Sequence, residues 1–319
     1  MIPARRSALA SMSRGPSRML AAPVLGAIAV LAVSVTPISA QEVEQDTAHD
    51  PLAPVAVPVS YTEEAVPVDP GAAPAPFGPG EHLVYKLKVG IFGAGEGYMS
   101  VVGVEDVRDN PVYRVAMGIK GGLGPLRIED TYQTWFDLST LQSWRYIRDI
   151  DQPGYESYRH WEFFPGRMRW ERQDNDEAGD LGSALPLDDI AFIYFLRTLP
   201  LEVGKTYTLN RYFKDDGNPV VIRVLRKDRR ETEGVWYNTI VVAPEIRTKG
   251  IFAEGAGAEI HLTDDERRIP VYVKTDIPGP GSLTLHLRSI QEGFPLNAES
   301  RSEAVEGRLA RTEADAQGR

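Results

Sequence analysis

The sequence predicts a mainly β protein, a curved antiparallel sheet or incomplete β-barrel around one buried helix at about 186–200. Three observations carry this. Apolar and polar residues alternate with a period of two through most of 82–290, the pattern of a half-buried strand. Turn signals such as "DQPGY", "FFPGR", "DDGNP" and "IPGPGS" separate many of the runs. A single segment, "PLDDIAFIYFLRTLP", breaks the alternation and is apolar on nearly all sides, as a helix inside a core must be.

The first forty residues are expected to be a leader. Residues 1–40 hold Arg5, Arg6, Arg14 and Arg18 with no acid, then the apolar run 19–35, then Ile38-Ser39-Ala40. This reads as a secretory signal peptide. The apolar run is near the lower limit for a membrane span and contains Pro23 and Gly26. Cleavage with no remaining span is therefore expected, and with it a periplasmic or secreted location. No cysteine follows the run, which excludes a lipoprotein anchor, and the chain has none anywhere. Thiol catalysis, cysteine-ligated zinc and disulfides are ruled out.

Residues 41–76 are rich in Pro, Ala and Val and read as a disordered, extended linker. A single β-rich domain is expected over 77–294, and a disordered polar tail over 295–319. Without the four leader arginines the net charge goes from −10 to −14. So acidic an exported chain is a poor partner for nucleic acid or for anionic membrane surfaces.

Within the domain, "EHLVYKLKVGI" places Leu83, Tyr85, Leu87, Val89 and Ile91 on one face. Further strands are expected near 97–107, 112–119, 126–137, 142–151, 155–164 and 167–173. Beyond the helix they resume near 205–214, 219–228, 235–243, 257–264, 269–276 and 281–290. Asp188 or Asp189 can cap the helix, and Pro200 ends it. Many sequential strands at short spacing imply a meander.

Three blocks resemble a known family: "FGPGEHLVYKLKVGIFGAGEGYMSV", "LPLDDIAFIYFLRTLPLEVGKTYTL" and "AEIHLTDDERRIPVYVKTDIPGPGSLTLHL". Together, and in this order, they are similar to the bacterial domain of unknown function 3108 over most of 77–293. The resemblance implies an exported, mostly β protein of the cell envelope. It brings no established activity and no catalytic residues.

The stretch "VGIFGAGEG" packs Gly90, Gly93, Gly95 and Gly97 into eight residues. As a dinucleotide fingerprint it fails, because Tyr98 stands where the third glycine is needed. As a phosphate loop it also fails, because Glu96 replaces the lysine and a strand-like run follows. These glycines read as a structural turn or bulge between two strands. "KGIFAEGAGAEIHL" (249–262) echoes the device.

No catalytic residues, metal ligands or cofactor are singled out. The histidines, His49, His82, His160, His261 and His286, form no i, i+4 pair and no H-E-x-x-H run. Asp188-Asp189 and Asp264-Asp265 read as a cap and a turn.

The region 144–172 is the most informative. If "QPGY" centres a symmetric hairpin, Gln152 faces Tyr155, Tyr146 faces Trp161 and Arg148 faces Arg159. If "FPGR" does the same, Phe164 faces Arg167, Trp161 faces Trp170 and Arg159 faces Arg172. One face then carries the rows Trp144–Phe163–Met168, Tyr146–Trp161–Trp170 and Arg148–Arg159–Arg172. Three arginines abreast need an anion or protein carboxylates, such as Asp130 or Asp151, beside them. Two accounts follow. Either the wall is core and protein acids pair with the arginines, or Tyr146, Arg148, Arg159, Trp161, Trp170 and Arg172 bind an amphipathic, anionic ligand such as a lipid.

The leading expectation is a non-catalytic protein that binds or carries a hydrophobic or amphipathic molecule. The alternatives are a structural or assembly protein contacting an envelope partner, and a carboxylate-based hydrolase.

Overall fold

The computed structural model describes residues 60–61, 75–123, 126–247, 257–277 and 281–296. The expected leader, nearly all of the linker, most of the tail and the echo at 249–256 lie outside the described residues.

The strands are β1 (Ser60–Tyr61), β2 (His82–Val89), β3 (Phe92–Val107), β4 (Asn110–Leu123), β5 (Leu126–Asp137), β6 (Ser143–Gln152), β7 (Tyr155–Phe164), β8 (Arg169–Arg172) and β9 (Ala178–Asp180). Helix α1 (Asp189–Leu196) follows, then β10 (Thr206–Leu209), β11 (Val220–Thr232), β12 (Val235–Glu245), β13 (Glu259–Thr263), β14 (Pro270–Ile277) and β15 (Gly281–Gln291). They form one sheet in the order β1-β10-β11-β12-β13-β14-β15-β2-β3-β4-β5-β6-β7-β8-β9. Every pairing is antiparallel except the short β1–β10 contact. The sheet is not closed into a barrel. β15 lies against β2, with Ile290 opposite Leu83 and Leu283 opposite Val89, so the two halves of the meander join there.

Period-two burial gives the sheet an apolar inner face. On β2, for example, Leu83, Tyr85, Leu87 and Val89 are buried. The helix lies on this inner face, and all seven residues from Ile190 to Leu196 are buried. It is shorter than the segment 186–200. Asp188 is its cap: one carboxylate oxygen accepts from Ile190 and Ala191 N–H at 2.9 and 3.0 Å. The other accepts from the hydroxyls of Thr134 on β5 (2.5 Å) and Ser143 on β6 (2.7 Å). The cap therefore stitches the helix to the sheet. Beyond the last turn Arg197, fully buried, donates to both oxygens of Glu81 at 2.6 and 2.8 Å.

One of the two expected hairpin registers needs correction. The first hairpin turns on Pro153-Gly154, with Gly154 at φ 77, and puts Tyr146 opposite Trp161 and Arg148 opposite Arg159. The second does not put Trp161 opposite Trp170. Pro165–Arg167 form a 3-10 turn, and Met168 takes a left-handed conformation with its N–H on Pro165 O. Four residues thus make the turn instead of two. Phe163 then faces Trp170, and Trp161 faces Arg172. A shift of two keeps the paired strand residues on their expected faces, but Met168 leaves the wall for the turn, where it is exposed. Trp144 leaves the wall. An irregularity between Trp135 and Phe136 against β6 turns it outward, where it packs with Ile147 on Val107, Val112 and Trp135.

The glycine corner contains an irregularity of the same kind. Leu87 pairs with Gly95 but Lys88 pairs with Gly93, so Ala94 is the extra residue of a bulge.

Candidate functional site: an arginine pair on the inner face

The face shared by β5, β6 and β7 is built in rows. Thr134, Tyr146, Trp161 and Arg172 make one row; Tyr132, Arg148 and Arg159 make the next. Beyond them come Ile119, Asp130, Ile150 and Ser157, and then Gln152 with Tyr155 beside the turn.

The aromatic row is filled. Tyr146 stacks on Trp161 with centroids 5.3 Å apart, and Phe213 packs against both Trp161 and Phe163. Trp161 and Trp170 are almost fully buried. Lys214 Nζ sits over Trp170 at 5.3 Å. In these positions Trp161 and Trp170 serve as core.

The three arginines divide. Arg172 lies on the Trp161 ring and donates to Asp174 and Glu177. That contact holds the Asp174 carboxyl down at about 2. Arg148 and Arg159 are different. Arg148 is 9% exposed, and its Nε is buried without a partner. Neither arginine makes an ion pair or side-chain hydrogen bond among the described residues. Burial works against the Arg148 cation, but Tyr146, Tyr132 and the Asp189 carboxylate outweigh it and leave its pKa raised.

Asp130, one expected counter-charge, does not bond to Arg148. Its Oδ2 accepts from Gln152 Nε2 at 2.6 Å, and its Oδ1 is buried without a partner. Burial raises the Asp130 pKa, against the pull of Gln152, the Asp151 backbone and Arg148. The Tyr155 hydroxyl is also buried without a partner. Three orphaned polar atoms, on Arg148, Asp130 and Tyr155, therefore belong to neighbouring positions of one sheet face. Natural proteins leave few such atoms, and each needs an explanation.

A second polar group borders them. Asp189, in the first turn of α1, accepts from Tyr146 at 3.2 Å and from Tyr212 at 3.1 Å. Burial lifts both phenol pKa values well above the ordinary range, so both remain donors. This arrangement offers a fixed guanidinium, a second one beside it and several hydroxyls. It can hold an anion by charge-assisted hydrogen bonds. Among the described residues no group of three or more His, Asp or Glu is placed to hold a metal ion.

The hairpin register gave Arg148, Arg159, Gln152 and Tyr155 from sequence. Tyr132, Asp189 and Tyr212 were missed. Their placement depends on pairing across the irregular 138–142 connection and on where the helix rests.

None of the four glycines lies in the arginine rows, although Gly97 faces Ile119. Gly90 is in the turn with φ 56 and Gly95 in the bulge with φ 148, whereas Gly93 and Gly97 show no positive φ.

The fold and site thus define an open, single-sheet β protein with a helix and an arginine pair on the inner face. The chain belongs to the family described as protein of unknown function DUF3108, whose model matches residues 84–288. No curated protein matches it. Among solved structures it is similar to a DUF1089 family protein from Pseudomonas aeruginosa, at 14% identity over 58% of this chain and 90% of that one, with a TM-score of 0.31. It is also similar to the hypothetical protein CT021 from Chlamydia trachomatis, at 10% identity over 68% and 88%, with a TM-score of 0.30. At these scores neither likeness informs the function of this chain.

Proposed function

We propose that the protein is an exported, non-catalytic binder of an amphipathic molecule with an anionic head, held at Arg148 and Arg159. The observation that carries this reading is the nine-tenths-buried Arg148, whose Nε has no partner. A buried cation left unpaired is costly, and an anion offsets that cost. Arg159 directly opposite doubles the demand. The Tyr155 hydroxyl and Asp130 Oδ1 supply further hydrogen-bonding positions for a head that carries hydroxyls.

The apolar body is placed along the half-buried side chains Ile119, Ile128, Tyr155 and Leu283, which lie toward the glycine-corner end of the inner face. This revises the role given to Trp161 and Trp170, which are packed from both sides. The basic leader supports export to the periplasm or beyond.

The test is native mass spectrometry with lipid extraction on protein purified from its own envelope. An anionic amphiphile should co-purify with the wild type and be lost from Arg148→Gln/Arg159→Gln. A wild type that carries nothing, or a double variant that keeps the same molecule, would remove the reading.

An assembly role has one observation in its favour. Val235 and Trp236, at the start of β12, are 50% and 61% exposed, as side chains awaiting a protein partner can be.

A further inference from the structure

Asp130 is the one acid among the rows of the arginine face. It lies on β5 between Ile128 and Tyr132, opposite Ile119 on β4 and Ile150 on β6. Few polar groups surround it. β6 places Arg148 and Gln152 on either side of Ile150, and β7 places Tyr155, Ser157 and Arg159 opposite these three. Asp151 acts on it through its backbone and its charge. Asp189 on α1 acts on Tyr132 and Arg148.

Asp130 is 4% exposed. Its Oδ2 accepts from Gln152 at 2.6 Å, and its Oδ1 has no partner. Arg148 stands on the neighbouring row, yet neither Asp130 oxygen bonds to it. The ionised form is unfavourable here, because the carboxylate has lost water, gained few donors and touches no cation. An anion on Arg148 and Arg159 would add like charge beside it and occupy the guanidinium donors. The neutral acid removes both difficulties. Protonated at Oδ1, it keeps the Gln152 bond at Oδ2 and turns the orphaned oxygen into a donor, for which the anion is the acceptor.

We propose that Asp130 meets the anion as a neutral acid, so that one proton is taken up with each anion bound at Arg148 and Arg159. This rests on the binding reading given above and adds that the site is coupled to protons. Burial raises the Asp130 pKa in the free protein, and a bound anion raises it further. By reciprocity the proton strengthens anion binding by the same factor. Affinity is flat at pH values where Asp130 is neutral in both states. Above the free-state pKa it falls about tenfold per pH unit, until Asp130 ionises in the complex as well. The ligand is thus released as pH rises.

The probe is octanesulfonate, an amphiphile whose head stays ionised throughout, whereas a phosphate head titrates in the same range. The full chain, stripped of bound lipid, is titrated calorimetrically in buffers of different ionisation enthalpy. This gives affinity and proton uptake together. On the falling limb the wild type should take up close to one proton per sulfonate. Asp130→Asn imitates the neutral acid, with its amide N–H as the donor. It should take up no proton and bind at every pH as tightly as the wild type does in acid. Asp188 is also raised, to about 6, so uptake that persists in Asp130→Asn would overturn the assignment. Gln152→Met serves as a second variant should Asp130→Asn not fold. It removes a donor that favours the ionised form, so the falling limb should move to higher pH, and a limb that stays in place would overturn the proposal. Sulfonate binding that needs the arginines but carries no proton would also overturn it, and would leave the binding reading intact. A wild type that binds no sulfonate at any pH, or an Arg148→Gln/Arg159→Gln variant that binds as tightly, would remove the binding reading and this proposal together.

Discussion

Arg148 and Arg159 stand directly opposite each other on β6 and β7, and no carboxylate pairs with either among the described residues. Like charges at directly opposed positions destabilise a sheet. Arg159→Glu converts this repulsion into a cross-strand pair. In lipid-stripped protein it should therefore raise Tm, by roughly 2–4 °C for each kcal/mol gained. The same variant should release the anionic ligand. Calorimetry of the stripped protein, with extraction of the loaded one, checks both halves. A stripped variant that melts lower than the wild type would mean that an unseen acid already satisfies Arg159.

Arg197 and Glu81 form an ion pair in which both partners are buried. Arg197 also donates to Pro76 O and Arg267 O and lies over the Phe77 ring at 5.1 Å. Removing one partner strands a buried charge, at about 3–5 kcal/mol. Arg197→Met and Glu81→Gln should each lower the urea midpoint accordingly. The double variant Arg197→Met/Glu81→Leu should lose clearly less than the sum of the two.

Stability should depend on pH through opposed groups. His261 and His286 are pushed from 6.5 down to about 4, chiefly by burial, with Arg230 near both and Lys88 near His286. Arg230 Nη2 lies 3.1 Å from His261 Nε2, while Glu259 and Asp228 at 3.6 and 4.0 Å oppose the shift. Between these pH values the unfolded chain binds more protons at these histidines, so their contribution rises with pH. Asp188 is raised from 3.8 to about 6 by burial. There the native state binds more protons, so its contribution falls as pH rises through that window. The two histidines should therefore contribute a rise in stability from pH 4 to 6, which Asp188 and Asp130, the latter also raised by burial, partly offset. In His261→Gln/His286→Gln the slope should flatten or reverse. An unchanged slope in that variant would show that other groups govern this range.

The glycine corner makes a sharp contrast within two residues. A Cβ on Gly95 would lie 2.2 Å from Lys120 O, and its φ of 148 disfavours any side chain. Gly95→Ala should cost at least roughly 1–3 kcal/mol. A Cβ on Gly93 would meet nothing within 4 Å, so Gly93→Ala should stay within about 0.5 kcal/mol of wild type. Chemical denaturation of the two variants side by side decides it.

Much of this architecture was legible in the residues themselves. Alternation located the strands, and the all-apolar stretch located a buried helix. The two-residue Pro153-Gly154 turn gave a register that places Arg148 opposite Arg159. The second turn misled because Met168 can enter the left-handed region, where a two-residue reading admits no extra positions. Trp144 misled because one irregular pairing reverses the face of a strand end, and alternation alone carries no mark of it.

By itself the sequence determined the mainly β class, the buried helix, the absence of cysteine chemistry and the pairing of the two arginines across one hairpin. Those properties depend on period and turn chemistry, which act over a few residues. Only the tertiary structure decided that Arg172 finds its acids while Arg148 and Arg159 do not, and that Asp189 sits between Tyr146 and Tyr212. It also joined Arg197 to Glu81 across 116 residues. Such partners meet only where the sheet curls around the helix, and that closure depends on bulges and long-range pairing to which a period of two is blind.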